Sequence, residues 1–320
     1  MSLHVARYDG SVASEWDAFV RRAKNATFLF ERGYMDYHAD RFADHSLVFR
    51  DVAGRLVAVF PADRREDTAR SHGGLTYGGF VIDEGMTLPL MGKVFASTAA
   101  TLRDAGITRV LYKTVPRIYH TLPADEDAYW LFRCGARLYR RDALTVSEYG
   151  RATQFQERRA RSIRKARNRG IVVRDELDFG DFWTILDANL RARYGVAPVH
   201  SVEEIQLLAG RFPEAIRLAA AYQNDAMVAG AVAYVSRNVC HVQYNAASGA
   251  GKDAGALDLV LDYLLTKYEG AVRYFDFGAS TEDDGRQLNQ GLVDYKEGFG
   301  ARTVVHDTYE WDLTAAEQAR

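Results

Sequence analysis

One order of elements runs through this sequence twice, and few folds accommodate it. Apolar residues at every second position, bounded by Gly, Asn or Asp, mark strands, while a 3.6-residue period marks helices. On that basis the first half reads as a short strand (3–8), helices (12–42) and three strands (46–51, 55–62, 75–82). A helix (88–105) closed by Gly106, a strand (107–113), a helix (125–134) and a strand (137–147) follow; glycine after a helix is the usual left-handed cap. The second half repeats this as a strand (171–177), helices (179–211) and three strands (216–222, 227–235, 239–246) joined by QND and SRN turns. A helix (255–269), a strand (272–278), a helix (286–298) and a strand (302–313) complete it. Several antiparallel strands followed by one βαβ-like unit exclude a doubly wound parallel sheet and suit an α/β fold with a mixed sheet and helices on both faces. Residue identity between the halves is weak, so the repeat is one of structure. The divide falls near Gly150, which predicts domains over 1–150 and 151–320, each of ordinary domain size.

Composition narrows the function classes. At 320 residues, 48% hydrophobic and 26% charged, the chain is a folded globular protein of about two domains. No apolar run approaches the length of a membrane span, and the start, MSLHVARYDG, lacks the apolar segment of a secretory signal. Cys134 and Cys240 are the only cysteines and give neither a disulfide framework nor a metal knuckle. A cytoplasmic protein without a metal is expected. With a net charge of −2, polyanion contact has to come from a local patch, and no recognition unit for DNA is evident.

Three stretches carry a resemblance to a known family. They are QERRARSIRKARNRGIVVRDEL (156–177), RYFDFGASTEDDGRQLNQGLVDYKEGFGARTVVHDTYE (273–310), and SHGGLTYGGFVID (71–83) followed by KTVPRIYHTLPADEDAYWLF (113–132). Together they resemble the FemABX-like branch of the GNAT superfamily along almost the whole chain. The resemblance implies two tandem GNAT-like domains, a substrate cleft and acyl transfer to an amine. Founding members of that family move amino acids from aminoacyl-tRNA onto peptidoglycan precursors, and relatives in polysaccharide pathways resemble acyl-CoA-dependent N-acyltransferases of amino sugars. It also implies a functional lysine in the last helix, matched here by Lys296 within YKEGFG. Two features depart from the family's patterns. The loop NAASGAGKDAGAL (245–257) supplies Gly249, Gly251 and Gly255 for a CoA pyrophosphate but no leading Gln or Arg. The long coiled-coil arm of some tRNA-using members is also missing.

Amide formation requires an uncharged amine, an oriented donor carbonyl and hydrogen-bond donors aimed at the developing oxyanion. In the GNAT plan two parallel strands splay around the donor, which here would place Tyr244, Asn245, Gly278 and Ser280 near the mouth. For Tyr244 and Asn245, ordinary strand-end structure stands beside substrate contact. Asp276 alternates with Phe275 and Phe277 and faces away from them; it is a base, an anchor for a substrate amine or hydroxyl, or a carboxylate capping loop amides. Lys296 borders the stripe Leu288, Leu292, Tyr295 and Phe299, either to neutralise an oxyanion or as a snorkelling side chain. Seven basic residues crowd 158–169; a phosphate-bearing substrate held by Arg164 and Lys165 is one reading and a solvated face the other. Tyr77 is a further cleft candidate, beside the Gly78–Gly79 pair. His72, His120, His200 and His241 show neither metal spacing nor an obvious nucleophile partner.

The function expected from these features is an acyl-CoA-dependent N-acyltransferase, with acetyl-CoA as the leading donor and no metal. Its acceptor would be a small-molecule or nucleotide-linked amine, such as an amino sugar or another cell-envelope precursor. An aminoacyl-tRNA-dependent transferase is the alternative enzyme, and a non-catalytic GNAT-like binding module the alternative of another class.

Overall fold

The computed structural model describes residues 3–151 and 154–315; Ala152 and Thr153, at the expected domain junction, lie outside the described residues, as do the last five. The chain forms two compact units. The first gathers the chain up to Asp142 with Asp283–Arg286 and the segment from Val305, and the second comprises Ala143–Glu282 with Gln287–Val304. These units are not contiguous halves of the sequence.

In the first unit, β1 (His4–Arg7), α1 (Ala13–Arg22) and α2 (Arg32–Met35) lead to β2 (Leu47–Arg50) and β3 (Leu56–Phe60). Then come β4 (Asp63–Arg65), β5 (Thr68–Arg70), β6 (Val81–Ile82), α3 (Leu88–Asp104), β7 (Arg109–Lys113), α4 (Glu126–Arg133) and the start of β8 (Arg137–Glu148). One sheet runs β1-β2-β3-β6, all antiparallel. The strand expected over 75–82 shortens to its last two residues. Gly78 lies so close to Ser71 that a Cβ would meet its carbonyl oxygen at 1.9 Å, and Gly79 has φ +89°. The Phe80 N–H then donates to the Tyr112 hydroxyl at 2.8 Å instead of joining a ladder. The core closes around Phe60, Phe80, Phe95, Tyr112 and Trp311.

The second unit continues through α5 (Glu157–Asn168), β9 (Val172–Glu176), α6 (Gly180–Tyr194), α7 (Val202–Arg211), β10 (Ile216–Gln223), β11 (Ala226–Val235) and β12 (Val239–Ala247). It ends with α8 (Gly249–Ala254), α9 (Ala256–Tyr268), β13 (Tyr274–Ala279), β14 (Thr281–Glu282), β15 (Gln287–Leu288), α10 (Gln290–Glu297) and the first residues of β16 (Arg302–Asp312). The QND turn between β10 and β11 carries Asn224 and Asp225 at φ 49° and 64°, the left-handed pair that a tight hairpin needs. The strands lie in the order β8-β13-β12-β11-β10-β9, antiparallel except for the parallel β12–β13 pair. Ala219, Ala221, Ala229, Ala231 and Ala233 line one buried face with Val260, Leu261 and Leu264 of α9. Small strand residues let a helix lie close and still fill the interior. On the opposite face, a Cβ at Gly230 would meet the Phe182 ring of α6 at 2.6 Å.

The terminal strands explain the interrupted units. The end of β8 pairs with β13 in the second unit, whereas β16 pairs with β7 in the first. No helix of the described residues is long and apolar enough to cross a membrane.

Candidate active site

The parallel pairing of β12 with β13 begins at Val239–Tyr274 and ends at His241–Asp276. Beyond that pair the two strands have no further registered partners, and β12 continues along β11 alone. A register shift opposite Val232/Ala233 makes Gln243 an extra residue in β12. Because each bulge reverses the alternation of faces, His241 and Tyr244 point to one side and Val242 and Asn245 to the other.

Asp276 sits at this parting of the strands with its side chain 1% exposed. Phe275 and Phe277 belong to the α9-side core, which leaves Asp276 on the opposite face with His241. Its Oδ2 lies 2.9 Å from Nδ1 of His241, and its Oδ1 accepts the Gly278 N–H at 2.7 Å. Burial alone would raise the carboxyl, but His241, the Gly278 amide and Lys296 together hold it below the ordinary carboxylate value.

Lys296 comes from α10. That helix starts at Gln290, later than the pattern predicts, because Asn289 caps it by accepting the Leu292 N–H at 3.0 Å. Leu288 therefore lies outside the helix, in β15 and half exposed, and does not belong to the expected stripe. The cap is itself anchored to the end of β13, since the Asn289 N–H donates to the Ser280 carbonyl at 3.0 Å. Ser280 is buried; its N–H donates to Ala143 and its hydroxyl meets that of Thr145 at 3.1 Å. At the helix's other end, the Tyr295 hydroxyl donates to Asp258 at 2.7 Å. Held from both sides, Lys296 is 5% exposed and donates to the carbonyls of Gly278 at 2.9 Å and Ala279 at 2.7 Å. Burial pulls the ammonium down to about 8, partly opposed by Asp276. An ammonium has three N–H donors, and two are occupied by these carbonyls.

The remaining predicted positions fall elsewhere. Tyr244 is half-buried, its hydroxyl hydrogen-bonded to Nδ1 of His200 and its ring edge-on to Trp183 at 5.3 Å. Asn245 is exposed on the other strand face, opposite Ala231. Tyr77 belongs to the first unit, buried, with its hydroxyl 2.8 Å from that of Thr27 and its ring against Tyr119. On α5, Ile163 and Ala166 face inward while Arg164 and Lys165 are exposed, Arg164 bonding Glu157 at 2.6 Å. Much of the basic run has a packing role: Arg159 holds both oxygens of buried Asp258 and Arg167 pairs with Asp262, both on α9. Of the three loop glycines, Gly251 and Gly255 are required by close contacts, since a Cβ would meet Val228 O at 2.1 Å or Ser162 O at 2.8 Å. Gly249 faces open space. Sequence reasoning missed the partners of His241 and His200. Among the described residues no group of three or more His, Cys, Asp or Glu side chains could hold a metal ion.

Residues 154–297 match the family model described as an acetyltransferase (GNAT) domain. No functionally curated protein matches the sequence. Among solved structures, FemX superposes with a TM-score of 0.66 at 13% identity, covering 98% of both chains. L-PGS from Bacillus licheniformis gives 0.61 at 12% identity, over 97% of this chain and 94% of that one. A tandem GNAT protein from the clavulanic acid biosynthesis pathway gives 0.55 at 13% identity, over 98% and 100%. At these identities the likeness is one of fold alone, a tandem GNAT fold.

Proposed function

We propose that this chain, a tandem GNAT-fold protein of the acyltransferase type, moves an acyl group from acyl-CoA to the amine of an amino sugar or related envelope precursor in the cytoplasm. Acetyl-CoA is the leading donor and a nucleotide-linked amine the leading form of acceptor. The observation that carries this reading is Lys296: a buried ammonium with two donors on the Gly278 and Ala279 carbonyls and a third left for another acceptor. A buried charge is costly unless it is paired and hydrogen-bonded; two carbonyls and Asp276 meet that need here, and the remaining donor can serve a substrate carbonyl becoming an oxyanion. For the donor's pyrophosphate, Gly249 is the loop position where a ligand can approach the backbone closely. Arg164 and Lys165 would meet phosphate on the acceptor.

A second reading, with aminoacyl-tRNA as donor, is favoured by one observation. Gly251 and Gly255 already serve packing, so the loop offers CoA less than a glycine-rich cradle would. Ligand-dependent melting separates the two. A ligand at a hundred times its Kd adds about 2.7 kcal/mol of stability. Stabilisation by acetyl-CoA and not by charged tRNA supports the leading reading, and the reverse supports the second.

A further inference from the structure

We propose that His241 is the general base of the transfer and that Asp276 is the residue that positions it. The proposal rests on the acyl-transfer reading and adds to it the group that takes the proton.

Asp276 is poorly placed to act on a substrate itself. It is 1% exposed, and its oxygens already serve His241 and the Gly278 amide. His241 is 12% exposed. A carboxylate only accepts hydrogen bonds, so Nδ1 of His241 carries the proton in their shared bond. The neutral ring then has its lone pair on Nε2, which has no protein partner among the described residues. A buried carboxylate fixing tautomer and ring orientation while the far nitrogen works as base is the division of labour in the Ser-His-Asp triad.

The backbone places this pair at a particular point. His241 and Asp276 are the last registered pair of β12 and β13, so the ring stands where the strands part. Gly278 is next to it; a Cβ there would come within 3.4 Å of Cε1 of His241, and its absence keeps that flank of the ring open. His241 from β12 and Lys296 from α10 both act on the Asp276 carboxylate, which puts base and oxyanion donor at one site.

The reaction closes in atoms and electrons. A neutral acceptor amine attacks the acyl carbon and forms the C–N bond, while the carbonyl π pair moves onto oxygen beside Lys296. The surplus proton on nitrogen passes to Nε2 of His241, giving an imidazolium facing Asp276. Collapse of the intermediate breaks the carbon bond to the donor's sulfur or oxygen, and that leaving group takes the proton back from His241.

Nitrogen NMR of the full chain labelled in its histidine rings tests the proposal without a substrate, with His241→Gln to assign the signal. The neutral His241 ring should carry its proton on Nδ1, and Asp276→Asn should move it to Nε2. An Nε2–H ring in the parent overturns the proposal. Acetyl-CoA consumption with glucosamine supplies the second measurement. His241→Ala should lose about a hundredfold or more in turnover, with partial rescue by added imidazole; turnover equal to the parent's overturns the assignment. A parent that acylates no amine from acetyl-CoA or from charged tRNA overturns the acyl-transfer reading and with it the base assignment, and the ring tautomer then decides only whether Asp276 orients His241.

Discussion

The Lys296 ammonium and the Asp276 carboxylate hold opposite ends of the same residue. Nζ bonds the Gly278 carbonyl at 2.9 Å, and the carboxylate accepts the Gly278 N–H at 2.7 Å. The peptide groups left over where β12 and β13 part are thus satisfied by the charged side chains proposed to act there.

Lys296→Met keeps most of the side-chain stem and removes the charge. Loss of an electrostatic stabiliser of this kind costs about a hundredfold to a thousandfold in turnover, with KM little changed. Steady-state kinetics beside a melting curve checks this. A folded variant within a few-fold of the parent would return Lys296 to the role of a structural ammonium.

The lysine's depressed pKa gives opposite pH trends for rate and stability. As pH rises through about 8 the folded protein loses the Lys296 proton, so turnover should fall across that point. Between about 8 and the ordinary 10.5 the unfolded chain binds more protons at this group than the folded one, so its contribution to stability rises with pH. Lys296→Met should abolish both trends. pH–rate profiles and denaturant melts of the two proteins measure them.

Gly278→Ala tests the backbone at the same point. Gly278 has φ +79°, where a residue with a Cβ costs about 1–2 kcal/mol. The variant should melt earlier by that amount in a denaturant titration and turn over more slowly, since the new methyl stands beside the His241 ring.

The architecture was largely legible because hydrophobic period and turn chemistry are local. The strands around Asn224–Asp225, the helix ending near Tyr268 and the polar Asp276 among phenylalanines all stand in the sequence. The lysine at the edge of an apolar helix face was legible for the same reason. His241 was not: its partner lies 35 residues away on a parallel neighbour, and strand register is not written in either segment. The basic run shows its charge but conceals that Arg159 and Arg167 answer Asp258 and Asp262 on α9. The discontinuous units were hidden too, because nothing local tells β16 to pair with β7.

That division of the basic helix makes a contrast. Arg159→Ala leaves the buried Asp258 carboxylate with the Tyr295 hydroxyl and should cost about 3 kcal/mol, the low end for breaking a buried pair. Arg164→Ala with Lys165→Ala removes exposed charge and should leave the melting temperature nearly unchanged while weakening a phosphate-bearing acceptor. Calorimetry with a nucleotide-linked amino sugar, at moderate salt, reads the second effect; unchanged affinity makes those two residues solvated surface.

The most direct measurement of the central claim is amide formation itself. The parent and Lys296→Met are incubated with acetyl-CoA, or with charged tRNA, and a panel of free and nucleotide-linked amino sugars, and N-acylated product is followed by mass spectrometry. The account predicts product from the parent with one donor class and a loss of about a hundredfold or more in Lys296→Met. Equal product from both proteins, or none from the parent with either donor, contradicts it.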